Sequence, residues 1–294
     1  MSVRNCIRDW TSYILKQYWK STQIIDRLPA SRLDTLLSSV FDETIDSNSS
    51  SSLPAGYHLV YHNPNSNQLG VDGYDNYQAP VDTRTKDELF RRRMWVRGKI
   101  EFLNPILFDT NVECLEQIKS VRHFNTVCFV NIERKFVQKN QTVPLVIEER
   151  TLAYSNSMYE KGISLNKALD ARETQFTEKV RLSQTENFRY SSLTYNAHKI
   201  HYDIDYCKVV EGFPKVLISG PLSITVILTW FSRKFYPNLH VSSIVYKNTQ
   251  PIYSDEDIQL ICFEDIKDEK YSIWIINSVE ELLVDASIRT VKSS

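Results

Sequence analysis

Residues 221–231 read Pro-Leu-Ser-Ile-Thr-Val-Ile-Leu-Thr-Trp-Phe, and a helix drawn through them is apolar on nearly every face. Such a helix cannot lie on a surface and must be buried on all sides. No run of about 18 uninterrupted apolar residues occurs anywhere in the chain, so a bilayer is not what buries it. The residues C-terminal to it supply the alternative. Strands are expected at residues 239–246, 258–263 and 271–276, with a fourth near 282–288. One helix sheathed by a curved antiparallel sheet is the packing that this order predicts.

The preceding half has a similar layout. Leu33, Leu36, Leu37, Val40 and Phe41 fall at helical spacing over residues 33–43, and the serine run 47–52 reads as a flexible loop. Extended segments are expected at 58–61, 96–102, 112–121, 126–137 and 142–154. Within the fourth, Cys128, Val130 and Ile132 alternate with Phe129, Asn131 and Glu133, the pattern of a long strand. Residues 155–173 hold few large apolar side chains and read as a connector. A strand at 176–183 and a short helix at 186–194 open the second half. The division expected is therefore an extension at 1–29, a first domain at 30–155, a linker at 156–173 and a second domain at 174–294.

Charge and cysteine content narrow the function classes. Thirty-five basic residues against 36 acidic ones give a net charge of -1 and no bulk electrostatic reason to bind nucleic acid. Cys6, Cys114, Cys128, Cys207 and Cys262 are scattered, without a CxxC pair, so neither a zinc cluster nor a disulfide framework is expected. The first 22 residues carry Arg4, Arg8, Lys16 and Lys20 against Asp9 alone, with Trp10, Tyr13 and Tyr18 between them. Two readings stay open: an organelle transit peptide, or a surface helix that docks an aromatic stripe. The C-terminus is not a peroxisomal Ser-Lys-Leu address.

The segment richest in chemistry is Leu193-Thr-Tyr-Asn196-Ala-His198-Lys-Ile-His201-Tyr-Asp203, followed by Glu211-Gly-Phe-Pro214 and Ser219-Gly220-Pro221. It resembles the MaoC-like (R)-specific hydratases and dehydratases, in which an acid or amide stands five residues before a histidine and a glycine opens a helix some twenty residues later. The resemblance is nearest to the double hot-dog branch that includes the mesaconyl-CoA-type hydratases and the fungal mitochondrial 3-hydroxyacyl-thioester dehydratases, which read Phe-Asn-x-His-Arg-Ile-His-Tyr-Asp, Glu-Gly-Tyr-Pro and His-Gly-Pro-Leu. Tyr195, Lys199, Phe213 and Ser219 depart from that pattern, and Ser219 stands where the branch has histidine. Leu53-Pro-Ala-Gly-Tyr-His58, Leu69-Gly-Val-Asp72-Gly73 and Arg92-Arg-Met-Trp95 extend the likeness over residues 30–292.

The resemblance implies an α+β double hot-dog fold, two antiparallel sheets each wrapped around a central helix, with one working site per chain. It implies a 3-hydroxyacyl-thioester dehydratase, without cofactor or metal, acting on acyl carrier protein or coenzyme A thioesters. Such a reaction removes a weakly acidic α-proton and expels a poor hydroxyl leaving group. A histidine near neutrality serves both steps, for about 10²- to 10⁴-fold, and that role falls to His201. Charge building on the thioester oxygen needs a preorganised donor, and Gly220 supplies it at a helix N-terminus where Pro221 suits the first turn. Asn196 has no titratable proton to give, so it is expected to orient the hydroxyl or water. Asp203 is a substitute acid or fixes the His201 tautomer. His198 is expected to support the loop.

Each assignment has a blander counterpart. A lone histidine is usually a packing or surface residue, and only the joint pattern with Asn196, Gly220 and Pro221 singles out His201. His58 and His62 read as structural. The run Arg91-Arg92-Arg93, with Arg97 and Lys99, is an ordinary solvated face or a grip on phosphate. Mitochondrial (matrix) fatty-acid synthesis is the expected setting, from the N-terminus and the missing peroxisomal tail. The alternatives are a coenzyme A hydratase of degradative metabolism and a non-enzymatic acyl-thioester binder. A thioesterase fits less well, since residues 221–231 offer no carboxylate.

Overall fold

The computed structural model describes residues 2–64, 66–161, 174–235, 238–265 and 270–292. The first half runs α1 (Val3–Ile14), β1 (Tyr18–Ile24), α2 (Arg27–Phe41), a 3₁₀ turn (Tyr57–Val60), β2 (Arg92–Phe102), β3 (Asn111–Phe124), β4 (Val127–Gln138) and β5 (Pro144–Ser155). The second runs β6 (Thr174–Arg181), α3 (Gln184–Leu193), a 3₁₀ turn (Lys199–His201), a π-helical turn (Tyr206–Glu211), α4 (Gly220–Phe235), β7 (Leu239–Asn248), β8 (Asp257–Asp265), β9 (Lys270–Asn277) and β10 (Leu282–Lys292).

The architecture is the α+β hot-dog. Leu222 through Phe231 are all buried in α4, as an all-round apolar helix demands. The two antiparallel sheets join edge to edge through β2 and β7, giving one ten-stranded sheet in the order β1-β3-β4-β5-β2-β7-β10-β9-β8-β6. Ile100 and Ile244 pair across this seam and both are fully buried. The halves are unequally filled. β1 and α2 parallel β6 and α3, with Asp26 and Ser183 capping the two helices, but among the described residues nothing between the first 3₁₀ turn and β2 matches α4.

The chain departs from its sequence pattern in three places. Residues 57–60 form the 3₁₀ turn, entered through Gly56 at φ 92°, so that of the segment expected at 58–61 only Tyr61 is extended. A side chain at Gly56 would come within 3.0 Å of Leu228, so the turn lies directly on α4 and left-handed backbone is what brings it there. The serine run is anchored, since Ser47 gives its N–H (2.9 Å) and its hydroxyl (2.7 Å) to Asp34. At the N-terminus, Ile7, Trp10 and Ile14 of α1 bury against Ile118, Val130 and Ile132, while Tyr13 and Tyr18 stay exposed. β1 pairs with β3, so residues 18–24 edge the first sheet. Most of the expected linker, residues 162–173, lies outside the described residues.

The seam has one tight point. A Cβ at Gly98 would meet the Tyr246 hydroxyl and lie 2.5 Å from the Glu149 carbonyl oxygen. Gly98→Ala is therefore expected to lower stability by about 1–3 kcal/mol, read as a fall in denaturant midpoint at constant slope. An unchanged midpoint would show that the seam yields.

Candidate active site

The site is assembled from three segments that one buried amide ties together. Asn187, fully buried on α3, donates through Nδ2 to the carbonyls of His201 (2.9 Å) and Leu217 (2.9 Å) and accepts the Ser219 N–H (2.9 Å) at Oδ1. It thereby holds the His201 turn against the approach to α4. His201 is buried, and its Nδ1 lies 3.0 Å from the Leu217 carbonyl. A carbonyl only accepts, so Nδ1 carries the proton and Nε2 presents a bare lone pair. Burial lowers the His201 pKa to about 4, with the Leu217 bond opposing the shift.

Asn196 turns its Oδ1 back to the His198 N–H (3.0 Å), which leaves its Nδ2 as the free donor. His198 stands edge-on to His201, ring centroids 5.4 Å apart, with Nε2 3.5 Å from Asp72 of the first half. Burial lowers the His198 pKa to about 3, against the pull of Asp72. A cavity of about 290 Å³ is lined by His201, His198, Asn196 and Gly220 together with Trp95 and Arg93 of β2. The imidazole at 201 and the helix start at 220 thus share one space between the halves. No hydrogen bond engages the Gly220 N–H among the described residues. A Cβ there would sit at ordinary distances, 3.4 Å from Asn248 Nδ2 and 3.6 Å from Trp95 Cβ, so the scaffold does not demand glycine.

Other expected residues lie elsewhere. Asp203 does not line the cavity and does not set the His201 tautomer, which Leu217 does; its Oδ1 takes the Tyr206 N–H (2.9 Å) and stabilises the π-helical turn. Ser219 is fully buried with an unpartnered hydroxyl and is absent from the cavity wall. Arg92 and Arg93, expected to grip phosphate, line the cavity with donors engaged by other residues. Arg92 is ion-paired with Glu211 and bonded to the Ser157 carbonyl. Arg93 spends its donors on Asp72 (2.6 and 3.1 Å), the Asp75 carbonyl (2.8 Å) and Asn76 (3.1 Å). Arg91 is exposed, and its main chain bonds Asn156. His58 and His62 are buried beside Glu148 and Arg134, away from the His201 turn.

Sequence reasoning passed over Asn187, Asp72 and Arg134. Asp72 belongs to the Leu69–Gly73 motif, and the Gly73 after it carries a signal: φ is 85°, and a Cβ would run into the Ala197 carbonyl. Lys199 donates its N–H to the Asp72 carbonyl (2.8 Å) and its Nζ to Val71 (2.8 Å), so the first half buttresses the His198 loop. Arg134 interrupts the inward row Cys128, Val130, Ile132, Phe136, and its ion pairs are with Glu148 (3.0 Å) and Glu116 (3.1 Å).

Comparisons with solved structures place this fold among MaoC-like dehydratases. One such dehydratase superposes with a TM-score of 0.71 at 11% identity, covering 97% of this chain and all of that one. Another, from Phytophthora capsici, gives 0.70 at 15%, covering 96% and 98%. The model of the hydroxyacyl-thioester dehydratase type 2 family matches residues 56–254, and the chain belongs to that family. Proteins named hydroxyacyl-thioester dehydratase type 2, mitochondrial, are 27% identical in Saccharomyces cerevisiae (71% of this chain, 76% of the relative) and 28% in Schizosaccharomyces pombe (76% and 80%). The mesaconyl-C(4)-CoA hydratase of Chloroflexus aurantiacus is 23% identical, over 72% and 75%.

Four buried imidazoles, His58, His62, His198 and His201, have pKa values pushed down to about 3 or 4, chiefly by burial. Unfolded, each binds its proton near pH 6.5. Between pH 6.5 and 4 the unfolded chain therefore holds more protons, and stability is retained above that window and lost as pH falls through it. The expected slope is on the order of 1 kcal/mol per pH unit for each histidine. Thermal melts at pH 7, 6 and 5 should show a steadily falling Tm; a flat Tm would contradict the burial of uncharged imidazoles.

Proposed function

We propose that this chain converts (R)-3-hydroxyacyl thioesters into trans-2-enoyl thioesters and water, with His201 moving the proton. Membership of a dehydratase family makes it a hydro-lyase. The observation that supports the residue roles is the shared cavity, whose wall includes both His201, with its Nε2 bare, and Gly220, with its N–H unpartnered.

In this reading the thioester oxygen accepts from the Gly220 N–H, and the α-carbon faces His201. Nε2 takes the α-proton as charge moves onto that oxygen, which the helix start stabilises in a water-poor setting. The charge then returns to form the C2–C3 double bond, the C3–O bond breaks, and the imidazolium gives the same proton to the departing oxygen. Water leaves, and His201 regains its starting tautomer. Asn196 Nδ2 holds the hydroxyl throughout. His198 and Asp72 keep the loop in register without touching substrate.

The setting proposed is the mitochondrial matrix and type II fatty-acid synthesis on acyl carrier protein. The mitochondrial names of the two yeast relatives support it. The likeness to a mesaconyl-C(4)-CoA hydratase favours a second reading, hydration of coenzyme A thioesters. Both use the same residues, and kinetics on the two carriers separate them.

His201→Ala is expected to lose at least about two orders of magnitude in crotonyl-CoA hydration with its circular dichroism unchanged; near-normal turnover would remove the assignment. Asn196→Ala should lose activity with little effect on Tm. The pH profile gives an independent check. Because His201 is already neutral far below its ordinary pKa, kcat/KM should stay level from pH 7 to pH 5 in short assays. An acid limb near 6.5 would mean that a different, solvated group acts as the base.

A further inference from the structure

A second recess, of about 560 Å³, lies beside the cavity, walled by Arg97 of β2, Arg122 and Phe124 of β3, Phe129 of β4 and Lys247 of β7. It shares Val96, Asn248, Thr249 and Gln250 with the cavity, so the two adjoin across the seam. Its lining contains three cations and no carboxylate. Arg97, Arg122 and Lys247 are exposed, and no carboxylate among the described residues forms an ion pair with any of them. Arg97 and Lys247 are register partners, so like charges face each other across the joint between the halves. That pairing is unfavourable by itself. On the far strands Thr151 stands across from Arg97, and one carboxylate, Asp285, stands across from Lys247 and takes the Trp274 indole N–H (3.1 Å). Nearby Lys99, by contrast, is paired with Glu101 (2.9 Å). In a chain of net charge -1, three cations against one neighbouring carboxylate leave this recess with a local excess of positive charge.

Its position relative to the reacting centre is defined. Asn248 Nδ2 comes within 3.4 Å of the Cβ position at Gly220, and Asn248 also lines the recess. Asn248 thus stands between the Gly220 position and the recess that holds the three cations. We infer that this recess binds the phosphate of the phosphopantetheine arm, the anion common to coenzyme A and acyl carrier protein. The inference rests on the proposed thioester chemistry. Guanidinium forks suit phosphate oxygens, and Phe124, 71% exposed, with Phe129 gives the arm's methylated carbons an apolar wall. Of the basic run expected to grip phosphate, Arg97 takes that role here, joined by Arg122 and Lys247.

The test uses the full chain and the triple variant R97S/R122S/K247S, none of whose positions belongs to the proposed catalytic set. Substrates are the crotonyl thioesters of pantetheine, 4′-phosphopantetheine, coenzyme A and acyl carrier protein. The variant is expected to raise KM about tenfold at low salt for the three phosphate-bearing substrates, with kcat unchanged and pantetheine unaffected. The wild-type preference for phosphopantetheine over pantetheine should fade as salt is added. An equal change on pantetheine, or no change on any substrate, overturns the assignment. A change confined to coenzyme A assigns the recess to the nucleotide phosphates and likewise overturns it. If the wild type hydrates none of the four, the dehydratase reading fails instead, and calorimetric binding of coenzyme A to wild type and variant still decides the recess: weaker binding by the variant supports it, equal binding sinks it.

Discussion

A helix that must stay dry on every side can present only its ends, and the N-terminal end of α4 opens onto the cavity that His201 lines. Polar side chains within its first two turns are satisfied internally: Ser223 donates to the Gly220 carbonyl (2.7 Å) and Thr225 to the Pro221 carbonyl (2.9 Å). They need no water and open no path for it. Of the first-turn N–H groups, Pro221 has none and Ser223 donates to the Ser219 carbonyl (3.2 Å). Gly220 and Leu222 keep uncommitted N–H groups among the described residues, and of the two only Gly220 is on the cavity wall. The sheathing that makes α4 fully buried and the donor that an acyl oxygen would need are thus consequences of one packing arrangement.

The apolar seam between the halves is joined by a buried ion pair whose partners are far apart in sequence, and a second buried pair braces the first half beneath the His198 loop. Arg92 and Glu211, 119 residues apart, cross between the halves, whereas Arg93 reaches Asp72 across 21 within the first half. Buried pairs of this kind contribute little net stability over a well-packed apolar substitute, yet breaking one strands a charge at a cost of about 3–5 kcal/mol. They admit one geometry. With both Asp72 oxygens on Arg93 and its main-chain carbonyl on the Lys199 N–H, the loop carrying His198 has a fixed support from the other half.

How much could be read from sequence depends on the range of the interaction involved. Periodicity located α4 and the strands because burial of a face repeats every two or 3.6 residues and needs no knowledge of the partner. The Asn196, His201 and Gly220 grouping was legible because its members sit within 25 positions of each other. Failures came where a residue's meaning depends on a distant one. Arg92 and Arg93 looked like a solvated run until Glu211 and Asp72 were placed beside them, and β2 begins at Arg92 rather than near Val96 for that reason. Asn187 gave no signal, being one asparagine on a short helix, although it joins the His201 turn to the start of α4. Residues 58–61 were read as extended because their apolar content was visible and their seat on Leu228 was not.

The unequal filling of the two halves has its origin on the inner face of the first sheet. Glu116, Arg134 and Glu148 are direct register partners on β3, β4 and β5, and Arg150 pairs with Glu148 (2.6 Å). This belt is neutral as a set, two cations against two carboxylates, but each member needs its charged neighbours. An apolar helix like α4 laid into that concavity would remove the remaining polar contacts and leave charges desolvated against hydrocarbon. Among the described residues, the charges in β3–β5 and the lack of a counterpart to α4 occur in the same half. The second sheet closes on a helix, whereas Glu116, Arg134 and Arg150 of the first line the cavity that reaches His201. Two halves of similar strand order divide the work because a few inward positions in one of them carry charge.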